Sequence, residues 1–281
     1  MAGVEARRLG RESRAAALSF LARDPLANLF LLDLAGRLGA PPVPGEARTE
    51  MIGVWRGGEL AAVASLRPTV ALTAAPSEVL EAFLPYLESL GAGLVKSSAD
   101  VVDALWRILG RGFRRRVLLD RLETAYAVRD GEARLTDVRS HERVRAAALG
   151  DLDPLVVAAR ESLREEERPD PFSGDVPGFK RWVRGRVPRA RVVESDGRIV
   201  CVGYADVRLR AGWLLQGVYC WPEARRRRFA STGVSDLCCE AFIAGAEHVQ
   251  LAVVDGNEAA RRLYEGLGFK PFGKLRTILF A

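Results

Sequence analysis

Four consecutive arginines, Arg225, Arg226, Arg227 and Arg228, follow the apolar run Val218-Tyr219-Cys220-Trp221 and the pair Pro222-Glu223, and a helical pattern follows them. A helix start presents unpaired backbone N–H groups and about half a positive charge, so a strand that turns through arginines into a helix is suited to a pyrophosphate. One further residue type could move protons. Glu165-Glu166-Glu167 offers carboxylates that could accept a proton directly or through water, with Glu166 as the candidate and Asp206 and Glu194 behind it. The chain has only two histidines, His141 and His248, and no H-E-x-x-H, Cys/His cluster or G-x-S-x-G. Zinc hydrolysis and a Ser-His-Asp hydrolase are therefore not indicated, and no metal site is expected.

The stretch from Val218 to Ala230 resembles the acetyl-CoA-binding motif of the Gcn5-related N-acetyltransferase (GNAT) superfamily, Arg/Gln-x-x-Gly-x-Gly/Ala after a strand and a Pro-Glu. Arg225 fills the first position and Ala230 the last. Arg228 stands where the pattern has glycine, and its Cβ resists both close approach of a phosphate and a positive φ. About 30 residues on, Asp255 to Phe269 is similar to the family's second motif, in which Asn-x-x-Ala leads to a tyrosine and a closing Gly-Phe. The resemblance covers residues 130–281. It implies that the backbone of Val218, Tyr219 and Cys220 holds the pantetheine and helps polarise the thioester carbonyl. It implies further that Arg225 to Arg228 with Phe229, Ala230 and Ser231 hold the pyrophosphate, that Asn257 contacts the cofactor or backbone, and that Tyr264 protonates the departing thiolate. The expected activity is transfer of an acetyl group from acetyl-CoA to a primary amine by direct attack. A non-catalytic acyl-CoA-binding sensor or scaffold is the alternative, favoured by Arg228.

The elements that must position these residues are legible as a degenerate repeat. The first half reads as helices over Arg11–Ala22 and Pro25–Leu38, with Asp24 as N-cap, and a Pro/Gly-rich loop over Gly39–Gly45. A Gly57-Gly58 hairpin follows, between strands Met51–Trp55 and Leu60–Leu66. Next come a helix over Ser77–Leu90, a strand near Leu94, a helix over Val101–Leu109, the pair Gly112-Phe113, and strands Val117–Leu119 and Ala125–Val128. The second half restarts after Arg129-Asp130-Gly131-Glu132 with a strand Ala133–Val138 and a helix Glu142–Leu149. From Asp151 to Gly178 it reads as a long irregular loop. Strands Ala190–Glu194, Arg198–Arg208 and Trp213–Trp221, a helix Ala224–Ala244, a strand Val249–Val254, a helix Glu258–Leu267, the pair Gly268-Phe269 and an extended end complete it.

The expected fold class is α/β (α+β): tandem GNAT-like domains, each a mixed, mostly antiparallel twisted sheet flanked by helices. Residues 1–129 form a degenerate copy that does not bind cofactor, because Ile108 stands where Tyr264 stands in the second half and Ala74-Ala75-Pro76-Ser77 has no phosphate-loop pattern. Residues 130–281 form the catalytic domain. The helical opening Leu21–Leu38, the run Gln216-Gly217-Val218 and the ending Lys274–Phe280 resemble a bacterial GNAT subgroup with an extra N-terminal domain.

The length of 281 residues is enough for two cores, and the 48% hydrophobic, 28% charged balance is that of an ordinary globular chain. The net charge of +6 rests on arginine, since lysine occurs only at 96, 180, 270 and 274. Without aromatic interleaving, a zinc finger or a recognition helix, this charge does not indicate nucleic acid. No apolar stretch approaches the ~20 residues of a membrane span, no signal-peptide core follows the N-terminus, and a cytoplasmic location is expected. The four cysteines, Cys201, Cys220, Cys238 and Cys239, read as buried thiols. The expected partner is an amine acceptor, small molecule or protein, on a pseudo-dimeric monomer or a homodimer.

Overall fold

In the computed structural model, residues 3–41, 48–110, 113–136, 144–172 and 174–281 are described. The chain divides into two compact units, Met1–Thr124 with Gly273–Ala281, and Ala125–Phe272. The expected division at 129/130 moves accordingly, and the closing segment does not stay with the second unit. The boundaries fall within two long strands, β6 (Val117–Val128) and β12 (Lys270–Phe280).

Unit 1 opens on β1 (Val4–Arg8), α1 (Arg14–Leu21) and α2 (Pro25–Gly36). The Asp24 side chain accepts from the Ala27 N–H at 3.1 Å and Pro25 fills the first turn, as the sequence predicts. The hairpin β2 (Glu50–Arg56) and β3 (Glu59–Arg67) turns on Gly57 and Gly58, both at positive φ. The strand order β1-β2-β3-β4, with β4 (Ala71–Leu72), is antiparallel throughout. The expected single helix Ser77–Leu90 is broken into α3 (Ser77–Leu80), a 3-10 turn and α4 (Leu84–Glu88), because Pro85 lacks the N–H a continuous helix would use. β5 (Gly93–Ser98) leads into α5 (Ala99–Leu109), and the end of β12 pairs antiparallel with β5 from Leu275↔Ser98 to Phe280↔Gly93. Ile278 and Phe280 thereby enter the same buried cluster as Ile52, Phe83, Val102 and Leu105. The two expected strands Val117–Leu119 and Ala125–Val128 are one strand, β6, and β1 was not foreseen because an arginine-rich edge strand lacks an apolar pattern.

Unit 2 holds the sheet order β6-β11-β10-β9-β8-β7. Its strands are β7 (Val144–Ala146), β8 (Ala190–Ser195), β9 (Arg198–Leu209), β10 (Gly212–Cys220) and β11 (Val249–Val254). β7 to β10 are antiparallel and β10/β11 parallel. Two apolar layers cover the sheet. One is built on α6 (Leu152–Glu165) and α7 (Val176–Arg186), with Leu155, Phe179, Val202 and Tyr219; the other on α8 (Phe229–Ile243) and α9 (Glu258–Gly266), with Leu237, Leu251, Tyr264 and Phe269.

Four expectations are corrected here. The stretch Asp151–Gly178 is no long loop: Leu152, Leu155, Val156, Ala159 and Leu163 recur at helical spacing and bury one face of α6, while Asp175 caps α7 through the Gly178 N–H at 2.9 Å. Residues 144–146 of the expected helix Glu142–Leu149 are strand β7, paired with β8. The helix expected from Ala224 starts only at Phe229, after a 3-10 turn over Pro222–Ala224 and the arginine run. The expected strand Ala133–Val138 is not formed over its described residues 133–136, while its end, Gly112, part of the loop Gly39–Gly45, and Glu142 and Arg143 lie outside the described residues.

Candidate active site

The site grows from a fault in the sheet of unit 2. β10 pairs with β11 only at Trp213↔Val249 and Leu214↔Gln250, although both strands run on. On its other side β10 shifts register against β9 between Gln216 and Tyr219, so Gly217 and Val218 pair with neither neighbour. Gly217 makes the bulge: its φ is +60°, and a Cβ there would lie 3.1 Å from the Tyr204 ring. The strand therefore leaves backbone donors and acceptors open just before its C-terminal end, in the crevice where open sheets bind ligands.

The chain then turns through Arg225–Arg228 into α8. Arg226 and Arg228 take φ of +60° and +67°, so the loop adopts a left-handed conformation without glycine at either place. Arg228 is the N-cap of α8, and no side chain caps the first turn, whereas α2, α7 and α9 are capped by Asp24, Asp175 and Asn257. The N–H groups of Phe229, Ala230 and Ser231 lack an intrahelical acceptor, the first bond running from Thr232 N to Arg228 O at 3.0 Å. Arg226, Arg227 and Arg228 are exposed and make no ion pair among the described residues.

Arg225 behaves differently. Its guanidinium grips both carboxylate oxygens of Glu165 at 2.6 and 2.7 Å, and its Nε donates to Cys220 O at 3.0 Å. Cys220 itself is disulfide-bonded to Cys201, directly opposite on β9, so two of the four expected thiols are a cross-strand bridge. Cys238 and Cys239 remain free.

Tyr264 is buried on α9 and packs edge-on against Phe269, with ring centroids 5.7 Å apart. Its hydroxyl bonds to no protein group among the described residues. Burial first, then the nearby Cys238 and Glu166, push its pKa above the ordinary tyrosine value. Glu166 is the C-cap of α6, one residue past Glu165 and 3.7 Å from Arg168, rather than a loop residue. Asn257 caps α9 by accepting from the Ala260 N–H at 3.0 Å, so its contact in the structure is with backbone. Of the lesser carboxylates, Asp206 is forked to Arg186 at 3.1 and 2.6 Å, and Glu194 is bonded to Arg145. Neither is placed as a free base. The sequence reading missed the bulge, the Glu165–Arg225 clasp and the disulfide; a glycine inside the apolar run of β10 was the one available signal for the first.

Among known proteins, residues 156–269 match the model of the acetyltransferase (GNAT) family. The matched segment lies within unit 2 and holds β8 to β11 and α7 to α9. GNAT structures also share its fold over nearly the whole length. A GCN5-related N-acetyltransferase from Sphaerobacter thermophilus is 16% identical, with a TM-score of 0.59 over 98% of this chain and 95% of that one. A tandem GNAT protein from the clavulanic acid biosynthesis pathway is 12% identical, with a TM-score of 0.52 over 99% and 98%. A Drosophila protein, 12% identical, reaches a TM-score of 0.73 over 99% of both chains. At these identities the likeness is one of fold, that of tandem GNAT-like domains. No curated protein has a significantly similar sequence. Among the described residues no cluster could hold a metal and no helix is long and apolar enough to cross a membrane.

Proposed function

We propose that unit 2 transfers an acetyl group from acetyl-CoA to a primary amine. The observation that carries this reading is the uncapped start of α8, with three unpaired arginines before it, at the end of a strand that has lost its partner. A pyrophosphate fits there: the open N–H groups of Phe229, Ala230 and Ser231 and the charges of Arg226 to Arg228 are donors without acceptors among the described residues. The open backbone of Gly217 and Val218 suits the amides of a pantetheine arm. When bound, acetyl-CoA supplies an acyl carbon already activated as a thioester.

The chain's own residues do the rest. Glu166 takes the proton of the attacking amine, directly or through water, and Tyr264 donates to the departing sulfur. Its raised pKa keeps the phenol protonated at neutral pH and makes it a hydrogen-bond donor before it is an acid. In unit 1 the parallel bridge is Val70↔Val95, just before β4. The Ser97 hydroxyl donates to Leu72 O at 3.2 Å and accepts from Leu72 N at 2.8 Å, closing the end of β4. This supports confining the cofactor to unit 2.

The second reading, an acyl-CoA sensor without turnover, is favoured by an arginine in the left-handed place of the motif glycine. Release of free thiol from acetyl-CoA with a panel of primary amines separates the two. Thiol release that depends on an amine and on Tyr264 supports the enzyme; binding without release supports the sensor; no binding to coenzyme A defeats both.

A further inference from the structure

The arginine that opens the loop is held unlike the three that follow it. Arg225 has five N–H donors, and three are committed: Nε–H to the last carbonyl of β10, and both Nη2 hydrogens to Glu165. Its guanidinium lies 5.7 Å from the centre of the Tyr219 ring, and the Tyr219 hydroxyl reaches the same carboxylate at 3.4 Å. Burial first and then Glu165 raise the Tyr219 pKa, so this hydroxyl stays protonated beside the carboxylate. One side chain thus ties together the end of β10, the end of α6 and the first residue of the loop.

The loop needs such a tie. Left-handed backbone at Arg226 and at Arg228 is strained for a residue with a Cβ and persists only where the surroundings impose it. Within the arginine run itself, the fork to Glu165 is the only ion pair among the described residues.

We propose that Glu165 is a positioning residue for the cofactor loop and that Arg225 is its strut rather than a phosphate ligand. Glu165 neutralises Arg225, and the fork holds the loop so that the start of α8 and Arg226 to Arg228 face the anion. The inference rests on the acyl-CoA reading above and assigns the family motif's first arginine, in this chain, a mechanical part.

The two roles predict opposite signs. If Arg225 were a phosphate ligand, Glu165 would compete with phosphate for it, and Glu165→Gln would tighten coenzyme A. If Arg225 is a strut, Glu165→Gln weakens coenzyme A by about three- to fivefold, the scale of a half-exposed ion pair. Titration calorimetry of the full chain with coenzyme A reads this directly, with melting curves to show that each variant is folded.

Two further arms use the same titration. Arg225→Lys keeps the charge but not the fork, so it should bind as weakly as Arg225→Gln, and Glu165→Gln with Arg225→Gln together should be no worse than the weaker single variant. The salt dependence of binding should be unchanged in Arg225→Gln and shallower in Arg226→Gln. Tighter binding in Glu165→Gln, or near-normal binding in Arg225→Lys, overturns the inference and leaves the acyl-CoA reading standing. A wild-type chain that binds no coenzyme A overturns both.

Discussion

Arg228 shows how one residue can be foreseen as a misfit and still be accommodated. The motif's glycine conformation is kept, at φ +67°, with an arginine in it. Arg228→Gly should therefore retain or tighten coenzyme A binding and raise stability by up to about 1 kcal/mol, the relief of left-handed strain less the added chain entropy of glycine. Calorimetry showing lost binding would count against the loop as a phosphate site. Tyr264→Phe removes the hydroxyl proposed above as the proton donor and should lower kcat about 100-fold with little change in coenzyme A affinity. Because burial raises the Tyr264 pKa, loss of its proton should not limit the rate anywhere below about pH 10. A pH–rate profile on wild type that falls between pH 8 and 9, and does so no longer in Tyr264→Phe, would contradict this.

At the scale of the element, the decisive feature is a strand that stops pairing. The bulge depends on Gly217, since any Cβ there meets the Tyr204 ring at 3.1 Å on a backbone that side chains avoid. Gly217→Ala should cost about 1 to 3 kcal/mol in thermal melts and raise the KM for acetyl-CoA. An unchanged melting curve would mean that the bulge is not fixed by this residue. Most elements were legible from apolar period, caps and turns: α2 from Asp24-Pro25, β2 and β3 from Gly57-Gly58. α6 was not, because Glu165-Glu166-Glu167 and the prolines after it obscured a good helical face, and β7 was not, because Val144 to Ala146 is too short to show a period.

At the scale of the whole chain, the closing segment belongs to the first unit. Ile278 and Phe280 are buried in its core, and Leu275 to Phe280 pair with β5. A chain ending at Phe272 should lose hydrogen-exchange protection in β5 and α5 while β9, β10 and α8 keep theirs; loss confined to unit 2 would contradict this assignment. Unit 1 also carries a buried carboxylate. Burial pushes the Glu123 pKa up, but Lys96, Thr277 and Arg121 more than offset it, and the pKa falls to about 2. A folded-state value below the unfolded one gives stability that is present above pH ~4.5 and is lost as pH falls toward 2. Lys96→Met should destabilise this unit by about 2 to 4 kcal/mol at neutral pH, by leaving a buried charge short of a partner, and should reduce that acid sensitivity. Melts at pH 7, 4 and 2.5 test both.

The sequence by itself determined the chemistry on offer. An arginine-rich turn between strand and helix, a helix with Tyr264, and the near absence of histidine follow from residue type and local spacing, and so does the expectation of two related domains. Only the tertiary structure decided what those residues touch. Arg225 turning to Glu165, Cys220 bonding to Cys201, β10 parting from β11 after Leu214, and the last strand entering unit 1 all join residues distant along the chain. No local period encodes such contacts, because they are set by how packed layers bring strands and helix ends together.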